Sequence, residues 1–324
     1  MDKKTILGWL SISSRIAGLL VLIPLALKSL TEGDFLFWQL MQSFVILGIA
    51  LDFGLTPTFS RYFSYAKGKS LNEQQQELND LYAILNSIIL HKILPLIISI
   101  SFLAILFLYQ QVFSSLEYFL TYSCYPLVII FQVLVNSRIG ILVGINRIKF
   151  SRIYEILFNI IQISVLIFIL LSTKSVLYVA ITHLSTLAIS ILILNKIIEL
   201  HGINKGKVDF DTQSNLTSVI YESGLGIFLS QLFIQGPPII MASLIEPKAL
   251  SEYLIYLRLI QVVCQLSSVF IYQALPQINI YEQRKEYDMQ IRLIKSNLLK
   301  TTSSFFLFGF LIYIIAPYVF ILLS

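Results

Sequence analysis

Apolar positions in this chain do not alternate with polar ones. They come in long runs of Ile, Leu, Val and Phe, separated by short polar stretches. Nine such runs stand out, at about 5–29, 35–58, 82–109, 118–146, 153–171, 175–197, 217–245, 250–278 and 297–323. A helix crossing a bilayer needs about 20 mainly apolar residues, whereas a membrane strand would show alternation over about ten. The pattern predicts an all-α integral membrane protein with about nine transmembrane helices. Lys3 and Lys4 ahead of the first run resemble the start of a signal peptide. The run is long and lacks a small-x-small cleavage site, and eight more follow, so it reads as an uncleaved anchor.

Composition agrees. Of 324 residues, 56% are hydrophobic and 13% charged, with a mean hydropathy of +0.80. Soluble domains carry about 25% charged residues, so a soluble enzyme, a nucleic-acid reader and a disordered tail are all excluded. Cys124 and Cys264 sit in apolar runs and read as small buried hydrophobes. His91, His183 and His201 are too dispersed for a metal site. No cofactor is expected.

Charge placement gives an orientation. Counting Lys and Arg in the loops, 15 fall on the side of Lys3, Arg61 and Arg147, against 3 (Lys28, Lys174, Lys248) on the other. Positive residues stay inside, so a cytoplasmic N-terminus and an external Ser324 are expected. The three longest loops, 65–81, 198–216 and 279–296, are all on the cytoplasmic side, and none has room for a soluble catalytic domain. The polar 198–216 loop reads as a linker between a first six-helix lobe, 1–197, and a partial second lobe of three helices, 217–324. A weak repeat pairs Gly8 with Gly226, Phe35 with Tyr253 and Pro57 with Pro276, and repeated halves are common in transporters.

Charges deep in a span require a cause, since each costs about 2.5–3.5 kcal/mol on insertion scales. Arg15 lies about ten residues into the first run and shares a face with Ser11, Ser14 and Gly18. It reads as cavity-lining or as structurally paired, with Asp52 the partner to consider. Arg258, Gln261 and Gln265 form a polar stripe on the eighth run, reading as a cavity wall or as interhelical hydrogen bonding. Arg138 and Lys92 read as snorkelling toward the cytoplasmic surface. Gly140 and Gly144 suggest close helix packing, and Glu155, Asn159 and Gln162 form an interior polar face. The seventh run carries Gln231 and Gln235, then Gly236-Pro237-Pro238. Two prolines remove two amide donors and predict a broken or kinked helix, a device that lines substrate cavities in transporters.

Three functions fit such a chain. One is a transporter for an anionic or amphiphilic substrate, because the deep charges are cationic. A membrane-embedded glycosyltransferase would place an acidic pair outside, where Glu32-Gly33-Asp34 sits. A polysaccharide polymerase would want a sizeable external loop.

The stretch Ala50-Leu51-Asp52-Phe53-Gly54-Leu55, followed by Arg61 and Ser64-Tyr65-Ala66-Lys67-Gly68, resembles the end of the second helix in O-antigen-type polysaccharide flippases of the multidrug/oligosaccharidyl-lipid/polysaccharide exporter superfamily. Gly226–Gln231, Pro247-x-Ala249, Tyr253 and Pro276 resemble that family's seventh and eighth helices.

The resemblance implies a two-lobed bundle of twelve to fourteen helices, of which this chain would be a short member. The implied activity is non-enzymatic: undecaprenyl-diphosphate-linked oligosaccharide passes from the cytoplasmic to the outer leaflet of a bacterial inner membrane by alternating access. Arg15 and Arg258 would hold the diphosphate, with Gln231, Gln235, Gln261 and Gln265 beside it. Gly236, Pro237, Pro238, Asp52 and Arg61 would serve the conformational change. Partners would be the lipid-linked oligosaccharide, membrane lipid and other polysaccharide-assembly membrane proteins, and no nucleic acid. Where the family often carries an acidic residue near an ion site, this chain has Gly-Pro-Pro. A chain ending after nine spans is expected to be truncated, or covered by a second copy or another protein.

Overall fold

The computed structural model describes residues 3–67, 71–204, 206–242, 244–283 and 285–323. Every regular element among them is helical. The elements are α1 (Lys3–Ser29), α2 (Glu32–Ile49), a 3-10 turn (Ala50–Asp52) and α3 (Leu55–Lys67). Next come α4 (Leu71–Ile88), a π turn (Ile89–Ile93), α5 (Leu94–Val112), α6 (Leu116–Gly144) and α7 (Ile148–Thr173). The chain closes with α8 (Val176–Leu200), α9 (Phe210–Met241), α10 (Pro247–Gln283) and α11 (Tyr287–Leu323).

Seven helical stretches among the described residues are long and apolar enough to span a bilayer. They match the second to eighth apolar runs. The first and last runs also form helices, α1 and α11.

Short polar residues start the helices. Thr31, Ser115, Ser175 and Asp209 each accept a backbone N–H from the first turn of α2, α6, α8 and α9, satisfying donors the helix cannot. Glu32 and Asp34 are therefore the first turn of α2 rather than a free acidic loop. Asp34 accepts the Tyr118 hydroxyl at 2.7 Å, tying α2 to α6.

The span Glu32–Lys67 is the centre of the bundle. In its most apolar 18-residue stretch 78% of the residues are buried inside the protein, against 11% in that of Ile148–Thr173, which faces outward along α7. α2 packs against α6, α9 and α10, and α1 against α7 and α10. The chain after residue 216 thus lies directly on the first helices. The polar stretch expected as a linker is bound down on α4: Asn79 Oδ1 accepts the Asn204 amide at 2.9 Å and Asp80 Oδ1 the Lys207 amide at 2.7 Å.

The helix interruption falls elsewhere than expected. α9 runs unbroken through Gly236-Pro237-Pro238. Proline's fixed φ is itself helical, so the helix can continue through the pair, although each ring removes an N–H and crowds the carbonyl it would have reached, those of Phe233 and Ile234. The second span is the one that breaks. After the 3-10 turn, Phe53 takes left-handed angles (φ 48°, ψ 33°) and Gly54 follows at φ 77°. A left-handed residue with a side chain is strained, and glycine supplies the next one without that cost. Asp52 then starts α3: its carboxylate accepts the Gly54 amide at 2.9 Å and the Thr56 hydroxyl at 3.2 Å.

α9 clamps this break with one face. The Phe53 ring lies 5.2 Å from that of Tyr221 and 5.5 Å from that of Phe228. Between them Gly224 meets the Phe53 backbone so closely that a Cβ there would collide with it. Gly140 and Gly144 do the same for α6 and α3. A Cβ at Gly140 would come 3.1 Å from the Thr56 carbonyl oxygen, and one at Gly144 2.6 Å from that of Ser60. Small residues allowing backbones to approach are a membrane packing device.

Candidate functional site

Arg258 is the deepest charge on the eighth run, and the structure buries it at 4% exposure between α2, α9 and α10. One terminal nitrogen, Nη1, donates to Gln235 Oε1 at 3.3 Å and to Gln261 Oε1 at 3.0 Å. The other, Nη2, donates to the Gln39 carbonyl at 3.3 Å and to Ser43 Oγ at 2.8 Å. All four acceptors are neutral.

Beside the guanidinium lies a cavity of about 60 Å³, lined by Trp38, Gln39, Gln42, Gln261 and Gln265 together with apolar side chains of α1, α2 and α10. None of the described lining residues is acidic. The polar atoms around it are out of balance. Trp38 Nε1, Gln39 Nε2, Gln235 Nε2 and Gln261 Nε2 are all buried without a partner. Turning over the amides of Gln235 or Gln261 does not help, because their oxygens already hold Arg258.

A second cavity, of about 140 Å³, opens between α1, α2, α7 and α8. Its lining mixes Leu22, Leu166, Leu170 and Val179 with Asn159, Gln162 and His183, and it shares Trp38 and Gln42 with the first. The polar faces expected on α1 and α7 meet next to it. Ser11 Oγ donates to Glu155 Oε2 at 2.7 Å, and Asn159 Nδ2 to Ser14 Oγ at 3.3 Å. Arg152 completes an ion pair with Glu155 at 2.7 Å.

The structure brings Arg258, Gln235, Gln261 and Gln265 together. Gln235 reaches Arg258 without lining the cavity, and Gln231, one turn earlier on α9, does not line it either. The Arg15 side chain lies outside the described residues, so its expected place beside Arg258 or Asp52 has no counterpart here. Asp52 caps α3, and Arg61 is exposed on α3. Gly236 and Pro238 are buried, but within a continuous helix.

Two expectations are corrected. Arg138 does not snorkel: it is 4% exposed, donating from Nε to Asn195 Oδ1 at 2.9 Å and from Nη2 to Asn86 Oδ1 at 2.6 Å, with its guanidinium 5.0 Å from the Tyr82 ring centre. The asparagines of α4 and α8 hold it in place. Cys264 is not buried but exposed on α10.

The sequence reading also missed α2. Gln39, Gln42 and Ser43 stand at i, i+3 and i+4 inside an apolar run, a polar stripe as legible as the one on α10.

Fold and site together define an all-helical, multi-pass membrane protein with a buried, donor-rich cationic chamber. No protein-family model, curated protein or solved structure matches the chain.

Proposed function

We propose that the protein is a flippase for polyprenyl-diphosphate-linked oligosaccharide, carrying surface-polysaccharide units from the cytoplasmic to the outer leaflet of a bacterial inner membrane. The observation that carries this reading is the Arg258 chamber: a buried positive charge among amide donors, with neutral partners only and a cavity beside it. A guanidinium surrounded by N–H groups suits phosphate oxygens, which accept and never donate when ionised. The amides of Gln42, Asn159 and Gln162 around the adjoining cavity suit sugar hydroxyls. The resemblance of the segment around Asp52-Phe53-Gly54 to polysaccharide flippases supports the same reading. Alternating access is the mechanism, with α9 and α10 moving against α2 to open the chamber to each side in turn.

The glycosyltransferase alternative has less support, because Asp34 of its acidic pair is engaged by Thr31 and Tyr118.

The test is reconstitution. Liposomes containing the protein and a labelled polyprenyl-diphosphate oligosaccharide should expose inner-leaflet label to an external glycosidase or lectin faster than protein-free liposomes. Equal rates would refute the proposal.

A further inference from the structure

α9 is one continuous helix from Phe210 to Met241, and it is gripped near its middle. Gly224 lies so close to the Phe53 backbone that no Cβ fits there, and the rings of Tyr221 and Phe228 close on the Phe53 ring. Gln213 stands 11 residues before Gly224 and Gln235 stands 11 residues after it. Each is therefore about 16 Å from the grip along the helix axis, and the two arms are equal.

The first arm ends in an unsaturated polar cluster. Lys92 Nζ donates to Thr217 Oγ1 at 3.2 Å, and that hydroxyl donates to the Gln213 carbonyl at 2.7 Å. Gln213 Nε2 donates to Ser87 Oγ at 3.2 Å, while Gln213 Oε1 is buried without a partner. An ammonium carries three N–H groups, yet its partner here is one neutral hydroxyl, and one turn away on the same helix a buried acceptor lacks a donor. Turning the Gln213 amide over would aim an N–H toward the charged end of the cluster, so the charge favours the orientation seen. Lys92 belongs to the π turn Ile89–Ile93, just ahead of Pro95. A proline ring crowds the carbonyl four residues back, here that of His91, and a widened turn relieves the crowding.

The second arm ends at the chamber. Gln235 Oε1 accepts from Arg258 Nη1 at 3.3 Å, the longer of that nitrogen's two contacts, the other being Gln261 at 3.0 Å.

We infer that α9 is a rocker that pivots where Gly224 meets Phe53, that Lys92 latches its first arm on either of two acceptors, Thr217 Oγ1 or Gln213 Oε1, and that the choice between them sets whether Gln235 holds Arg258. In the arrangement seen here the ammonium is on Thr217 and Gln235 is on the guanidinium. With the ammonium on Gln213, the arm is drawn at a point farther from the pivot, the helix tilts, and Gln235 withdraws from Nη1. α9 transmits the tilt because it is unbroken between the two glutamines. The stretch ahead of it, held on α4 by Asn79 and Asp80, keeps the excursion to a few ångström. Coupling of this kind is reciprocal, so whatever engages Arg258 in place of Gln235 also favours Lys92 on Gln213. The inference rests on the flippase reading only for what the rocking serves.

The test uses the full chain in nanodiscs, with Cys124→Ala and Cys264→Ala removing the native thiols. Spin labels at Asn215→Cys on α9 and Leu200→Cys on α8 follow the first arm, and labels at Phe233→Cys on α9 and Leu116→Cys on α6 follow the second; all four positions are exposed. Thr217→Val, similar in shape, removes the present acceptor and should shift both distances together by a few ångström. Gln213→Leu removes the alternative and should leave both at their original values. In Trp9→Phe the remaining tryptophan, Trp38, lines the cavity beside Arg258, and Thr217→Val should change its emission. Distances unmoved in Thr217→Val overturn the latch. A first arm that moves without the second overturns the rigid rocker, and unchanged Trp38 emission overturns its coupling to the chamber. If both arms move as described and liposomes show no flipping, the flippase reading fails and the rocker stands; if flipping proceeds and Thr217→Val moves neither arm, the reverse holds.

Discussion

Arg258 and Arg138 are equally buried, each at 4% exposure, and both take neutral oxygens as partners. They differ in what surrounds them. Around Arg138, the donors of α6 meet the acceptors of Asn86 and Asn195, the Tyr82 ring covers the guanidinium, and none of these neighbours retains an unmet buried donor. Around Arg258, four neighbouring donors are unmet and a cavity adjoins them. A buried charge inside a membrane is conspicuous in either case. What separates a structural arginine from a binding one is whether the donors and acceptors around it balance.

The widest separation between the two should appear in transport. Arg258→Leu should reduce flipping in liposomes by roughly a hundred-fold or more, the loss expected when a charge-assisted contact to phosphate is removed. Arg138→Leu protein that reaches the liposome folded should keep most of its rate. Comparable losses per folded molecule would erase the distinction.

Stability should rank them the other way. Arg138→Leu strands two half-buried asparagine oxygens and removes a buried guanidinium's packing, and should cost about 2–3 kcal/mol, measured as lowered resistance to heat or denaturant in detergent. Arg258→Leu should cost about 1 kcal/mol or less, because the freed amide oxygens of Gln235 and Gln261 can accept from N–H groups now unmet. An Arg258 variant as unstable as the Arg138 one would argue that both clusters are structural.

The two interruptions expected and found in the spans extend the comparison. Gly224→Val should be destabilising by about 2–3 kcal/mol, since its side chain would strike the Phe53 backbone. The smallest effect belongs to Pro237→Ala with Pro238→Ala. α9 is already continuous there, so the double variant should shift stability by about 1 kcal/mol at most and leave the helix path unchanged by cysteine crosslinking along α9.

Much of the architecture was legible in the sequence because the membrane imposes it. Long apolar runs have no alternative to the helix when backbone groups must pair within a segment, so the runs could be read from composition, while the polar first turns beyond them, such as the start of α9 at Phe210, could not. The Arg258–Gln261 stripe was legible for the same reason, as polar residues at helical spacing. Which helix would break was not. Pro237 and Pro238 carry the local signal for a break, yet helical φ suits proline and α9 tolerates it. Phe53 carries no such signal, and only Gly224, Tyr221 and Phe228 arriving from a distant segment make its left-handed conformation tolerable. The fate of Arg138 was hidden likewise, since its partners Asn86 and Asn195 come from α4 and α8. Sequence reports what a segment prefers by itself, while tertiary partners decide where a preference is overruled.

That clamp has a consequence for biosynthesis. Phe53 and Gly224 are 171 residues apart, and a ribosome adding about 5–20 residues per second needs roughly 10–30 s to deliver the second after the first. Throughout that interval the nascent second span lacks the surface that holds its bend, with a strained Phe53 and a capped but unsupported α3. The early helices therefore cannot settle into their final path as they leave the translocon. They must wait in a provisional arrangement, and the protein's maturation is timed by the arrival of its ninth helix.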